Sequence, residues 1–195
     1  MSALAWMDHG TRLFLESVDR LSDEELDAAS RLPGWTRRHV VAHVHYNAEA
    51  LRRLLSWART GEESRMYAGP EQRATEIEQG ATLPASQLRT LVHESAQALA
   101  ADMDSLTESA WDNQVVTAQG RAVPATEISW MRTREVAVHA VDLGNGCGFD
   151  DLPDDLNAAL VADVVKKRAA SGEAAALAEW LTGRTTDAPT LGTWL

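Results

Sequence analysis

The sequence predicts an all-α helical bundle, and three observations carry that prediction. Ala and Leu are abundant while β-branched runs are short, which favours helix over strand. Four long segments repeat apolar residues at helical spacing, with capping residues or helix breakers at their ends. Only one stretch, VVTAQGRAVP (115–124), reads as extended, with Gln119-Gly120 at its turn.

The first helix is expected from about Ala3 to Leu21. Leu4, Met7, Leu13, Leu15, Val18 and Leu21 fall mostly on one stripe of it. Ser22 followed by Glu25 has the spacing of a capping box and starts a short second helix. Pro33-Gly34 punctuates the chain. Thr36 then caps a long helix that runs to about Arg59 and stops near Gly61. The segment GEESRMYAGP (61–70) is loop, a short helix follows Pro70, and a longer one starts near Pro84 and runs to about Met103. Pro124 opens a further helix to about Leu143. The glycine-rich GNGCGF (144–149) ends it and marks the best boundary in the chain. After Pro153 a helix runs to about Ala170, a shorter one follows around Glu173–Leu181, and the tail is irregular. The expected division is a bundle over 1–148 and a short helical extension over 149–195.

Charge and cysteine content narrow the function classes. The net charge of −11 disfavours nucleic acid and anionic membranes as partners, since neither finds a global positive field here. One cysteine, Cys147, excludes an intramolecular disulfide and suits a reducing compartment. No apolar run approaches the roughly 20 residues that span a bilayer. The N-terminal MSALAWMDHG lacks the pattern of a secretory signal. The expectation is a cytoplasmic protein.

Chemistry-bearing residues concentrate on two helices. In the helix after Thr36, His43 shares a face with Val40, Asn47, Ala50, Leu51 and Leu54, whereas His45 points the other way and is expected in solvent. In the helix after Pro124, Glu135 and His139 are four apart on one face with Ile128, Met131 and Val138, and Asp142 continues the row. A buried carboxylate is costly unless paired or bound to a metal. Spacing alone leaves two outlets for Glu135: an ion pair, with Arg132 the nearest candidate, or a metal shared with His139 and His43. Two imidazoles and one carboxylate suit zinc and leave a coordination position open, with Asp142 or Asn47 as supports behind them. His9, His39 and His93 read as structural or solvated, His39 standing near the pocket edge. Cys147 reads as an incidental loop thiol, and Arg65, Arg73, Arg121 and Arg184 read by pattern alone as surface groups.

Three stretches resemble a known family: GWTRRHVVAHVHYNAEAL (34–51), TGEESRMYAGPEQRATEIEQG (60–80) and VVTAQGRAVPATEISWMRTREVAVHAVDLG (115–144). They are similar to the mycothiol-dependent maleylpyruvate isomerases, members of the DinB-like superfamily of metal-binding helical bundles. The resemblance runs from about residue 30 to 150 and resumes weakly at WLTGR (180–184) and at Trp194-Leu195. It implies a DinB-like four-helix bundle with His43, Glu135 and His139 as ligands of a divalent metal, zinc being the first expectation. It implies mycothiol as cofactor and a small-molecule substrate, converted from maleylpyruvate to fumarylpyruvate in gentisate degradation by thiolate addition, rotation and elimination. Arg184 matches an arginine used in catalysis, and Arg73 a pocket arginine that binds substrate or thiol. Family isomerases carry a larger α/β appendage at the C-terminus, of which residues 149–195 resemble a remnant with its strands missing. Two further functions stay open: a thiol S-transferase or detoxification enzyme on the same site, and a non-catalytic metal-binding module. A monomer and a homodimer are both compatible with the sequence.

Overall fold

The computed structural model describes residues 3–191, so the resemblance at Trp194 and Leu195 falls outside the described residues. The chain divides into two compact units, Met1–Asp151 and Leu152–Leu195. The first is a four-helix bundle built from α1 (Ala3–Arg20), α3 (Arg37–Thr60), α5 (Ala85–Asp104) and α7 (Glu127–Asp142). Shorter helices α2 (Asp23–Asp27), α4 (Pro70–Ala81) and α6 (Glu108–Trp111) join them, with a two-stranded antiparallel ribbon of β1 (Gln114–Val116) and β2 (Ala122–Pro124). A turn with Gly120 at positive φ links the two strands.

Within the bundle α3 packs against α4, α5 and α7, and α1 packs against α7 and α5. The α1–α7 seam is close because residue 10 is glycine: a Cβ there would lie 2.9 Å from Val136 Cγ2 and 3.3 Å from the Ala137 nitrogen. The expected stripe of α1 holds for Met7, Val18 and Leu21. Phe14 joins them in the core, while Leu4 is exposed. Ser22 and Glu25 exchange both capping-box bonds, and Gly61 closes α3 in the left-handed conformation, as their positions predict.

Two apolar clusters fill the bundle. One gathers Met7, Leu51, Leu54, Leu55, Leu99, Met103 and Ile128; the other gathers Phe14, Val18, Val40, Val44, Leu88, Val92, Val136 and Leu143. Asn47 on α3 and Arg132 on α7 lie between these groups along the two helices, both buried. Two expectations need correction. Pro124 ends β2 instead of opening α7, which starts at Glu127, because Ala125 and Thr126 first bond back to Asn113 and Trp111. His45 is 8% exposed, not solvated, because α5 covers that side of α3. The four-residue α6 was too short to show a periodicity.

The second unit holds α8 (Asp154–Arg168) and α9 (Ala174–Leu181), joined by a π-helical stretch Ala169–Glu173 that kinks at Gly172, where φ is 97°. Among its described residues there is no strand.

Candidate metal centre

The ends of α3 and α7 are held together before any site chemistry begins. Thr36 caps α3 through His39: its backbone N–H and its hydroxyl both donate to His39 Nδ1, at 3.2 and 2.7 Å. Arg37, the first residue of α3, donates to the carbonyls of Leu143 and Gly144 at 2.6 and 3.2 Å and to the Glu25 carbonyl at 2.9 Å. The Arg31 N–H adds a bond to the Asp142 carbonyl at 2.8 Å. These donors satisfy carbonyls that the C-terminus of α7 leaves open, and they fix its position against the start of α3.

On this frame the i, i+4 pair of α7 faces His43. Nε2 of His43 lies 2.8 Å from Glu135 Oε2, and Nε2 of His139 lies 3.3 Å from the same oxygen. The imidazole centroids are 4.9 Å apart with the rings perpendicular. Both histidines are buried and Glu135 nearly so. One ligand atom from each of the three residues lies within 4.8 Å of the others, so the cluster could hold a metal ion. Bonds of about 2.1 Å in tetrahedral geometry place ligand atoms about 3.4 Å apart; the 3.3 Å spacing from His139 fits, and the 2.8 Å spacing from His43 would open by about half an ångström.

The surroundings fit a metal. Nδ1 of His139 lies 2.8 Å from Asp142 Oδ2, which places a proton on Nδ1 and turns the lone pair of Nε2 inward. That Nε2 is buried, and its one close polar neighbour is Glu135 Oε2 at 3.3 Å, with no well-aligned hydrogen bond between them. Burial lowers the His43 pKa against the pull of Glu135 and favours the neutral form that binds metals. Burial alone would raise Glu135, but the histidines on either side outweigh it and hold the carboxyl well below the usual range. Burial likewise works against protonating His139, yet the hydrogen bonds and charges of Asp142 and Glu135 raise it to about 9, so a metal would bind there by displacing the Nε2 proton.

The other outlet for Glu135 is not used: no Glu135–Arg132 ion pair occurs among the described residues. Arg132 is 1% exposed and donates from Nη1 to the Val44 carbonyl at 2.8 Å and to Asn47 Oδ1 at 2.9 Å. Asn47 therefore supports Arg132, and Asp142 alone of the two expected supports touches a ligand. Arg73 comes from α4 and reaches His43 Nδ1 at 3.4 Å. Trp35 packs its ring 5.6 Å from that of His43.

The remaining candidates lie elsewhere. His39 stacks on Trp35, beside His43, and His93 pairs with Asp19 at 2.9 Å. Arg65 pairs with Glu63, and Arg121 is exposed at the ribbon turn. Cys147 is buried in the second apolar cluster, and burial pushes its thiol pKa up, the reverse of what a nucleophile needs. Arg184 belongs to the second unit, where it is exposed and donates to the Thr182 carbonyl. Sequence reasoning missed Arg37. No spacing rule marks an arginine that caps a distant helix.

The fold and the cluster together define a four-helix bundle with a buried two-histidine, one-carboxylate centre. Residues 7–144 match the mycothiol maleylpyruvate isomerase N-terminal domain, and the chain belongs to that family. Among solved structures, the crystal structure of the mycothiol-dependent maleylpyruvate isomerase is similar at 43% identity with a TM-score of 0.85, over 87% of this chain and 71% of that one. A histidine-to-alanine mutant of that isomerase matches at 43% identity and a TM-score of 0.81, over 84% and 68% of the two chains. YfiT from Bacillus subtilis, described as a probable metal-dependent hydrolase with an unusual four-helix bundle topology, is 19% identical with a TM-score of 0.56, over 73% and 83%. That likeness concerns the fold alone. No curated protein matches the sequence.

Proposed function

We propose that this chain is a mycothiol-dependent maleylpyruvate isomerase that uses a divalent metal, zinc first, held by His43, Glu135 and His139. The observation that carries the proposal is the buried ligand set, its two imidazole Nε2 atoms converging on Glu135 Oε2, in a chain 43% identical to an isomerase of that activity. A divalent ion at this centre supplies Lewis acidity toward the thiol sulfur or a substrate carbonyl and keeps a thiol ionised at neutral pH. Every other part of the chemistry falls to the chain's own groups. Asp142 fixes the His139 tautomer. Trp35 and the buried helix faces exclude water from one side. Arg73 offers a guanidinium to a substrate or thiol carboxylate. Arg184 enters the proposal as the arginine that binds a carboxylate or the anionic intermediate. Cys147 takes no part, because the nucleophile comes from the cofactor. A single buried cysteine and a thiol cofactor both suit a reducing cytoplasm.

One observation favours a second reading. Residues 152–191 carry no strand, unlike the α/β appendage the resemblance leads one to expect. A thiol S-transferase would keep the metal and thiol centre and accept another electrophile. The test is an isomerase assay on metal-replete protein with mycothiol and glutathione side by side. Isomerisation with mycothiol is the expected result. Consumption of a generic electrophile without isomerisation moves the assignment to the transferase. Metal analysis comes first: wild type should hold about one ion per chain, and His43→Ala and Glu135→Ala should lose it. A wild type that folds without binding metal overturns the proposal.

A further inference from the structure

The two histidines of the centre are backed by opposite kinds of group. Behind His139, the Asp142 carboxylate stands 2.8 Å from Nδ1 and is an acceptor only. Behind His43, the Arg73 guanidinium stands 3.4 Å from Nδ1 and is a donor only. His43 Nδ1 therefore carries a lone pair in this arrangement. The ring proton sits on Nε2, where Glu135 Oε2 accepts it at 2.8 Å. An imidazole that ligates a metal through Nε2 needs the other tautomer, with its proton on Nδ1 and donated outward. On His43 that proton would point at a guanidinium that has no lone pair to receive it.

Relief of this conflict falls to the arginine side chain, because α4 is fixed at both ends. Gly80 lets α4 approach α3 so closely that a Cβ there would lie 2.8 Å from the Ala42 Cβ and 2.9 Å from Tyr46 Cε2. At the start of α4, Gln72 accepts from the Ala68 N–H at 2.7 Å and donates to Glu76 Oε1 at 2.7 Å. Arg73 is half-buried, and no carboxylate among the described residues pairs with it.

We infer that Arg73 is gated by the centre: when His43 Nε2 ligates a metal, the ring proton passes to Nδ1, and the guanidinium swings off His43 and becomes free to take a carboxylate. The inference rests on the metal centre and the substrate class proposed above. The charge of the ring does not change, since one proton leaves Nε2 and one arrives at Nδ1. Repulsion between a divalent ion and the guanidinium acts in the same direction. An order of binding follows, metal first and dicarboxylate second, because the arginine is engaged by His43 until the ligand tautomer forms.

The test is arginine labelling with phenylglyoxal on the full wild-type chain, in zinc and in chelator, mapped residue by residue by mass spectrometry. Arg73 should label about fivefold faster in zinc, the scale of one hydrogen bond that no longer holds it. The exposed Arg121 should label equally in both and serves as the reference. A rate at Arg73 that zinc leaves unchanged or lowers overturns the inference. Zinc affinity by chelator competition is the second readout. Arg73→Met relieves Nδ1 in advance and should bind zinc about fivefold tighter than wild type, since no hydrogen bond then has to break. Equal or weaker binding by the variant also overturns the inference. Loss of the arginine charge acts in the same direction, so the labelling carries the decision between a gate and charge alone. Neither readout uses turnover. A wild type that binds no zinc overturns the metal centre and the gate with it, whereas one that binds zinc with Arg73 labelling unchanged overturns the gate alone.

Discussion

Arg132 is the residue whose removal tests the interior most sharply. Replacing it with Met keeps much of the side-chain volume and deletes the charge and every donor. Two acceptors lose a partner, the Val44 carbonyl and Asn47 Oδ1. They are not equal. The Val44 carbonyl sits inside α3 and keeps its intrahelical bond, so its loss is small. Asn47 is buried, and an orphaned acceptor there costs about 1–3 kcal/mol. Relief partly offsets this, since burial already lowers the Arg132 pKa to about 10, the mark of an unfavourable desolvation. The expected net loss is about 2 kcal/mol, or about 4–8 °C in melting temperature for a chain of this length. The assay is urea unfolding in excess chelator, which removes any stabilisation by bound metal. Asn47→Leu in the same background supplies the control: once both partners are apolar, the double variant should lose less than the two single losses combined, by about 1 kcal/mol. Strict additivity, or a single variant as stable as wild type, would refute the view that this pair matters as a pair.

Two further outcomes follow from the ligand geometry. Asp142→Asn removes the charge that fixes the His139 tautomer, and metal affinity should drop about 10- to 100-fold in a chelator competition, with the helical circular dichroism unchanged; equal affinity would show that Asp142 only ends the helix. In chelator-treated protein, His139 titrates near 9 when folded, above its ordinary value near 6.5. Its contribution to stability is therefore fully present below about pH 6.5 and lost as pH rises through about 9, a change of up to about 3 kcal/mol. The urea midpoint should fall across that window, and fall less in Asp142→Asn; a flat profile contradicts the pairing.

The fold was legible because its signals are local. Helical periodicity, the Ser22–Glu25 box and the stop at Gly61 each operate within one or two turns, and each appears where its residues stand. Glu135 and His139 were legible as a pair for the same reason. What spacing could not decide was the partner. Arg132 stands three residues before Glu135 on the same helix, so an ion pair was as reasonable as a metal. Its actual partners come from α3, on the far side of a tertiary contact that no sequence period encodes. His45 failed likewise: helical phase gives the face it occupies, but α5 decides whether that face meets water. Leu4 shares the helical phase of the α1 stripe but stands at its exposed first turn, while Phe14 packs in the core. Arg37 acts only through residues far along the chain, so composition and motif could not single it out.

A divalent ion at the proposed centre would reverse there the sign of the whole chain's charge. Overall the protein carries −11, which would repel an anionic substrate and an anionic transition state alike. Around the cluster the formal charges balance: Glu135 and Asp142 are negative, Arg73 and Arg132 positive, and the two histidines act as neutral ligands once a metal is bound. A divalent ion would then leave the pocket with a net charge of about +2 in a setting where burial limits screening. In the proposed reaction that excess would suit a thiolate and a dicarboxylate together, since each brings negative charge to the same small volume. Arg132 would then serve the charge of the pocket as well as the fold. Without it the pocket would lose one of the two fixed cations that offset its carboxylates. If that is why the arginine is kept, Arg132→Met should weaken maleate binding to metal-loaded protein by more than its modest effect on folding implies.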